Sequence, residues 1–514
     1  MSKTIIIIGA GLAGLSAALQ AAENGCNVKL VSSLPSERAQ SVMAGGGINA
    51  ALNTKDENDS PEEHFTDTIK AACGLADPNA VWGMTQAAPE LVHWLLKLGV
   101  KFNMSGYDDV DLRNFGGQKK KRTAFAQSDT GKQIMTAMID AVRRKEASGM
   151  VERFSHHSFL TLRLCGNICC GCVIRDEYSQ ETVELPGDAV IVATGGMHGL
   201  FGNTTGSLSN TGEVTAELFR LGVPLANGEM IQYHPTTVKC GGKRMLISEA
   251  ARGEGGRLFA MKDGKQWYFM EEKYPELGNL MPRDITAREI WKVSHESEVF
   301  LDMTEISEEI ISNKLSGLAD DCMTYLHKDI RKEPVSVLPG IHYFMGGILV
   351  DEQHRTPIQN LYAAGECCAQ YHGANRLGGN SLLGALYGGR VAAKSACEQA
   401  DVVDLSCATQ IDFPPASQIS EIKQLNKVMQ ETMGVVRNEN TLLNGIQTVQ
   451  ALTGNLPLLG MAVLKSALAR KESRGAHWRE DYPKSNDDDY LKTTVARFDG
   501  KQIQISFVPV PERR

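Results

Sequence analysis

Residues 5–8 are four consecutive isoleucines, and Gly9-Ala10-Gly11-Leu12-Ala13-Gly14 follows them before helix-forming residues that run to Asn24-Gly25. Val28-Lys29-Leu30-Val31 then reads as a second strand. Strand, GxGxxG, helix and strand in that order make the unit that cradles a dinucleotide pyrophosphate. Gly9 permits the tight turn, Gly11 lets the backbone approach the phosphates, and Gly14 lets helix and strand pack closely. Free N–H groups at the helix N-terminus stabilise the phosphate charge. Ser32-Ser33 stands where an NAD-binding chain carries an acid for the ribose hydroxyls, which points away from NAD in its usual mode.

Other reactive residues read as structural. Cys165, Cys169, Cys170 and Cys172 lie in a hairpin pattern over 161–174 with Gly166-Asn167 at its turn, and their spacing fits no standard zinc or iron–sulfur site. Lys119-Lys120-Lys121-Arg122 falls on an expected loop and reads as a solvated basic face. His156-His157 lacks companion ligands and reads as structural.

Two further apolar strands must hold such a site. Ala189-Val190-Ile191-Val192 runs into Ala193-Thr194-Gly195-Gly196, and Leu361-Tyr362-Ala363-Ala364 into Gly365-Glu366. Both are expected as buried parallel strands that feed a ligand at their C-terminal ends. Their separation implies an insertion over roughly 231–344. Beyond about residue 402 the pattern turns helical, around 419–431 and 458–471, after a linker at Asp412-Phe413-Pro414-Pro415-Ala416.

The whole chain has 514 residues, room for about three domains. It is 42% hydrophobic and 22% charged, the balance of a soluble globular protein. With 53 basic against 61 acidic residues the net charge is −8, and nothing supplies the basic surplus of a nucleic-acid binder. No apolar run nears the roughly 18 residues of a spanning helix. No small-residue cleavage site follows the first strand, so no secretory signal is expected. Twelve cysteines in so long a chain are expected as free thiols in a reducing cytoplasm.

Seven further segments complete a pattern. They are Gly45-Gly46-Gly47-Ile48, Gln232-Tyr233-His234-Pro235-Thr236, the stretch from Ser248-Glu249-Ala250-Ala251-Arg252 to Gly256, Pro282-Arg283-Asp284, His342-Tyr343-Phe344-Met345-Gly346-Gly347, the stretch from His372 through Arg376 to Leu382, and Glu472-Ser473-Arg474-Gly475-Ala476-His477. In this order the chain resembles the flavoprotein subunit of the succinate dehydrogenase/fumarate reductase family, to which L-aspartate oxidase is related. The resemblance runs over nearly the whole chain. It implies an α/β fold: a Rossmann-like FAD-binding domain in two parts (1–230 and 345–401), an inserted α+β capping domain (231–344), a helical domain (402–490) and a C-terminal tail (491–514).

The same resemblance implies FAD held by Gly9, Ala10, Gly11, Gly14, Ser32, Ala44, Gly45, Gly46, Gly47, Ala193, Thr194, Gly195, Glu213, Glu366, Asn380, Ser381 and Leu382. Ser32 would serve the adenosine end, Glu366 the ribose, Ala44 to Gly47 the isoalloxazine, and Ser381 with Leu382 its pyrimidine edge. A C4 dicarboxylate carries two negative charges and calls for cations and strong donors. His234, Ser248, His342 and Arg376 stand at the family's positions for this, and Arg376 can grip a carboxylate with two parallel hydrogen bonds. Ser248 replaces the family's usual threonine and keeps the hydroxyl. By resemblance Arg283 is the proton donor, fed through Glu249 and Arg252. Arginine is an unusual acid, with a pKa above about 12, and needs packed positive charge and a dry site to act.

Departures narrow the expectation. Gln40 occupies the position of the histidine that binds FAD covalently in many respiratory members, and the nearest histidine in sequence is His64. The flavin is therefore expected to be noncovalent, with a lower potential that favours fumarate reduction. L-Aspartate oxidase, the alternative, carries a glutamate before the Gly-Gly of the loop at 115–117 to pair with the substrate ammonium; here that residue is Phe115. A non-catalytic flavin subunit would have lost the dicarboxylate residues, and all are retained. Electrons are expected to pass through a separate iron–sulfur subunit, with a membrane-anchor or a quinone- or thiol-reactive subunit beyond it. That leaves a respiratory complex, a thiol-linked reductase and a stand-alone reductase open. The region beyond 402 is short for the family, though Glu472–His477 and Arg479-Glu480-Asp481-Tyr482-Pro483 are kept. The expected location is the cytoplasm, or the inner face of the cell membrane through partners.

Overall fold

The four isoleucines form the strand Thr4–Ile8, and their side chains divide between two cores. Ile5 and Ile7 pack with Leu12, Leu15, Leu383 and Leu386, while Ile6 and Ile8 pack with Val190, Val192, Leu361 and Cys172. A strand buried on both faces has no polar side to alternate with, hence the unbroken apolar run. This computed structural model describes residues 2–106, 109–400, 411, 413 and 418–514.

Thr4–Ile8 lies at the centre of a five-stranded parallel sheet in the order Leu361–Ala363, Ala189–Val192, Thr4–Ile8, Asn27–Ser32 and Val151–Ser155. The two later strands thus join the first as expected, although more than 150 residues separate them from each other. Helix Leu12–Glu23 packs on one face beside helix Asn380–Gln399, tied by the Ser16 hydroxyl donating to the Leu386 carbonyl at 2.6 Å. On the other face lies an antiparallel sheet of His157–Cys165, Ile168–Asp176 and Thr182–Pro186. It contains the expected turn at Gly166-Asn167, and Cys169 and Cys172 point into its apolar core.

The insertion begins and ends with paired strands, Ile231–Cys240 antiparallel to Leu338–Phe344. Between them a four-stranded sheet and helix Arg283–Val293 bury their own core of Leu258, Leu301, Phe269 and Ile290. Phe115 enters that core from outside the insertion, so the two bodies share packing beside the cleft. Helices Ile419–Thr432, Glu439–Val449 and Asn455–Ala469 follow. Apart from Phe413, the expected linker at Asp412, Pro414, Pro415 and Ala416 lies outside the described residues.

Two expectations are corrected. Residues 491–514 are not a plain tail: Lys492–Phe498 and Ile503–Pro509 form a hairpin that completes a sheet with Leu225–Ala226. The Asp499-Gly500 turn signals it, with Gly500 at φ +90° and the Asp499 carboxylate accepting from the Lys501 and Gln502 N–H groups. Nor is Arg122 part of a solvated face. Its side chain is fully buried between Asp59, at 2.8 Å, and Asp67, at 3.0 Å. A run of like charges conceals a residue whose partners lie more than 50 positions earlier in the chain.

Candidate active site

One cleft of about 940 Å³ runs across the C-terminal ends of the parallel strands and under the insertion. At its first end the turn after Thr4–Ile8 brings Gly9, Ala10 and Gly11 to the wall. Gly9 has φ +111°, and a Cβ there would sit 2.3 Å from the Ala193 carbonyl oxygen. A Cβ on Gly11 would meet nothing in the protein nearer than 3.7 Å. The glycine at 11 therefore keeps room for something other than the chain itself, as a pyrophosphate cradle requires. Gly14 does not line the cleft; a Cβ there would lie 1.8 Å from the Gly9 carbonyl oxygen, so it serves helix–strand packing alone. Ser32 ends its strand on the cleft wall, opposite Ser155 in the sheet. His156 and His157 follow Ser155 onto the same wall and are cleft residues as well as structural ones.

Ala193, Thr194 and Gly195 line the middle, and Glu213 reaches it as the first residue of helix Glu213–Arg220. Ala44, Gly45, Gly46 and Gly47 form the opposite wall. A Cβ on Gly45 would lie 2.5 Å from the Ser128 carbonyl oxygen, and one on Gly46 would lie 3.1 Å from the Phe115 ring. Gln40 lies on the same wall, in the 3-10 turn Gln40–Met43. His64 is not there: it is fully buried, with Nε2 2.9 Å from Asn380 Oδ1. That contact corrects Asn380 too. Its side chain is consumed by Asn49, His64 and Thr68 and does not reach the cleft, whereas its neighbours Ser381 and Leu382 do. A flavin dinucleotide fits this donor-rich, glycine-lined channel. Glu366 lines it as well, accepting from the Phe344 N–H at 3.1 Å; burial pushes its carboxyl up to about 7.

The far end is built where the insertion meets the sheet domain. Pro282 starts helix Arg283–Val293, so the first-turn residue Arg283 projects from the helix N-terminus into the cleft. Its Nη2 and Nε donate to Glu249 Oε2 at 2.6 and 2.8 Å, and its Nη1 donates to Gln232 Oε1 at 3.1 Å. Glu249 opens its own short helix and accepts from the Gly116 N–H at 3.0 Å. Burial alone would raise its carboxyl, but Arg283 and Arg252 carry it below the ordinary value, so Glu249 is ionised. Arg252 stands behind it, 3.4 Å from Oε1, and does not touch the cleft.

Around this pair the sequence-nominated residues converge. His234 and His342 come from the two paired strands at the ends of the insertion, with ring centroids 5.1 Å apart. Burial, then the Arg283 charge, holds both imidazoles well below their usual value, so both are neutral near pH 7. The Nε2 of His234 is buried without a protein partner. Ser248 lines the cleft while its hydroxyl caps the following helix through the Ala250 N–H. Arg376 is 2% exposed, with its guanidinium 4.3 Å over the Tyr343 ring and Nε unpartnered. Burial and then Arg283 bring it down to about 9. Phe115, 2% exposed, lines this end with an apolar ring.

Sequence reasoning missed Gln232, which joins the two arginines: Oε1 accepts from Arg283, and Nε2 donates to the Arg376 carbonyl at 2.8 Å. It lies in the Gln232–Thr236 motif, yet nothing in a glutamine's type announces a bridging role. Thr205, 2.8 Å from the His342 ring, was missed as well.

Comparison with known proteins finds relatives along the whole chain. The family described as FAD binding domain matches residues 4–382, and that described as fumarate reductase flavoprotein C-term matches residues 452–513. The succinate dehydrogenase flavoprotein subunit of Bacillus subtilis is 38% identical, covering 100% of this chain and 98% of that protein. The 8-methylmenaquinol:fumarate reductase flavoprotein subunit of Wolinella succinogenes is 32% identical, covering 100% and 92%. Among solved structures, FrdA of Escherichia coli quinol fumarate reductase, in a point-mutant form, superposes with a TM-score of 0.90 at 27% identity, covering 99% of this chain and 97% of that one. The parallel sheet, the glycine cradle and full-length identity of this order together mean that the chain belongs to the succinate dehydrogenase/fumarate reductase flavoprotein subunit family of FAD-binding oxidoreductases.

Proposed function

We propose that this protein is the catalytic flavoprotein subunit that interconverts fumarate and succinate, biased towards fumarate reduction. The observation that carries the reading is a charge imbalance at the inner end of the cleft. Three buried arginines, Arg252, Arg283 and Arg376, surround one ionised carboxylate, Glu249, while both histidines are neutral. A buried cation excess is costly until an anion compensates it, and a dicarboxylate dianion is the matching charge. Arg376 and the imidazole N–H groups would grip the carboxylates, Ser248 adding a hydroxyl. Phe115 puts an apolar ring at the position of the glutamate that pairs with the substrate ammonium in L-aspartate oxidase, and Glu249 is already held by Arg283, which disfavours aspartate.

FAD, when bound and reduced by two electrons from its partner, would supply the hydride. Arg283 holds the proton for the other alkene carbon, and Glu249 with Arg252 behind it forms a line along which that proton is replaced. Arg252 is held below the usual arginine value by burial and by Arg283, against the opposing pull of Glu249. That crowding eases the loss of a proton from the Arg252 guanidinium at the rear of the line. With Gln40 where the flavin-linking histidine stands in other members, FAD is held noncovalently. Its electrons come through an iron–sulfur partner subunit, at the inner face of the cell membrane where an anchor subunit completes the complex. Among the described residues no helix is long and apolar enough to cross a membrane.

Dye-linked turnover of the purified FAD-loaded chain tests this. Fumarate reduction by a low-potential dye should far outrun succinate oxidation, and denaturation should release the flavin into the supernatant. Aspartate oxidation with peroxide release, and no fumarate turnover, would overturn the reading in favour of an L-aspartate oxidase.

A further inference from the structure

We infer that Thr205 is the residue that fixes the tautomer of His342, so that its Nε2 presents a hydrogen to a bound carboxylate. The inference rests on the dicarboxylate reading of the same site. Thr205 lies in the loop between Gly202 and Gly212, and its backbone is stitched to the cleft strand by its N–H donating to the Ile341 carbonyl at 3.0 Å. From that anchor its Oγ1 lies 2.8 Å from His342 Nδ1 and 3.4 Å from the Ile341 carbonyl oxygen. Both Thr205 and His342 line the cleft.

A neutral imidazole carries one hydrogen, and the bond made by one nitrogen decides which it is. His342 is neutral because burial and the neighbouring Arg283, Arg376 and His198 all disfavour its cation. If Thr205 donates to Nδ1, Nε2 keeps the hydrogen and becomes a donor. If Thr205 instead turns its hydrogen to the Ile341 carbonyl, Nδ1 must donate and Nε2 shows a lone pair, which repels a carboxylate. The 2.8 Å bond persists in both arrangements, but the second needs the hydroxyl to donate to the Ile341 carbonyl across 3.4 Å, a long contact, so the first is favoured. His234 has no side-chain contact as close: its Nδ1 lies 3.1 and 3.3 Å from the Thr236 backbone and 3.4 Å from the Thr236 hydroxyl, which donates to the Ile247 carbonyl at 2.8 Å. Thr205 thus acts through His342 as a positioning residue.

The test compares Thr205→Val with Thr205→Ser in the FAD-loaded protein. It reads the dissociation constant of malonate from the flavin spectrum, together with kcat and KM for fumarate. Malonate is a dicarboxylate with a single methylene and cannot form the alkene. Thr205→Val should weaken malonate and raise the fumarate KM about tenfold, with kcat changed far less, the cost of one charged hydrogen bond. Thr205→Ser should restore both to within a few-fold of the parent. Malonate binding by Thr205→Val as tight as the parent's would overturn the inference, as would a serine variant no better than valine. Loss of FAD or a lower melting temperature in both variants would assign Thr205 to the scaffold and also overturn it. Failure of the parent protein itself to bind malonate would instead remove the dicarboxylate reading on which the inference depends.

Discussion

Two groups of buried arginines sit in different parts of this molecule and are treated differently. In the C-terminal region Arg470 is fully buried and richly satisfied: Nε donates to Glu229 at 2.7 Å, Nη1 to Glu472 at 2.7 Å and the Tyr490 carbonyl at 2.8 Å, and Nη2 to the Lys492 carbonyl and Thr494, both at 2.7 Å. Arg474 and Arg479 are clamped in turn by Glu472 and Asp481. In the cleft, Arg376 is as buried, yet its Nε is idle and its guanidinium rests on an aromatic face. Arg252 leaves Nε and Nη2 without hydrogen-bond partners. Equal burial of the same side chain therefore says little. What separates scaffold from binding site is whether the protein itself completes the charge and donor count.

The sharpest way to break this contrast is chemical. Arg283→Ala should lower fumarate turnover about a thousandfold while FAD content and fold are retained. A loss within tenfold would end its role as proton donor. Next comes stability, measured by denaturant unfolding of the flavin-free protein. Arg470→Met strands the Glu229 carboxylate in the interior, while Glu472 keeps Arg474, and should cost about 3–5 kcal/mol. Arg376→Met removes an uncompensated cation and should be neutral or stabilising by about 1 kcal/mol, while malonate binding weakens about a hundredfold. Equal destabilisation by both would erase the distinction between the two regions.

Phe115→Glu sharpens the selectivity of the cleft end. It should cut fumarate turnover about tenfold and bring measurable aspartate oxidation, since a carboxylate can now pair with the ammonium. No gain with aspartate would show that Phe115 does not exclude it. The smallest effect concerns Glu366, whose carboxyl burial raises to about 7. Its folded form holds the proton more tightly than the unfolded chain does. The stability this gives is complete below the unfolded value of 4.5 and is lost as pH rises to about 7. Glu366→Gln should flatten that slope in the flavin-free protein and raise its melting point at pH 8 by about 2 °C.

Much of the scaffold is legible in the residues alone. The isoleucine strand, the glycine turn and the two later strands announce themselves because a doubly buried parallel strand and a pyrophosphate turn each leave a local signature. The residues proposed as catalytic were legible only through the resemblance, since one arginine or histidine looks like any other. Arg122 misled because its lysine neighbours at 119–121 describe a surface it does not share. Asn380 misled because it adjoins true cleft residues, and one position around a helix turns a side chain from the cleft into a buried amide network with Asn49 and His64. The final hairpin carries a local turn signal of its own in Asp499-Gly500.

The sequence by itself determined where the dinucleotide cradle lies, which strands form the central sheet and which family motifs the chain carries. These depend on backbone conformation and on the spacing of neighbours. Only the tertiary structure decided which arginines are compensated, which imidazole nitrogen the protein itself occupies and which member of each motif reaches the cleft. Glu249 meets Arg283 across 34 positions, Arg470 meets Glu229 across 241, and Asn49 meets Asn380 across 331. Charge balance and hydrogen-bond direction are properties of such encounters, and in a low-dielectric interior they outweigh anything a residue's type can reveal on its own.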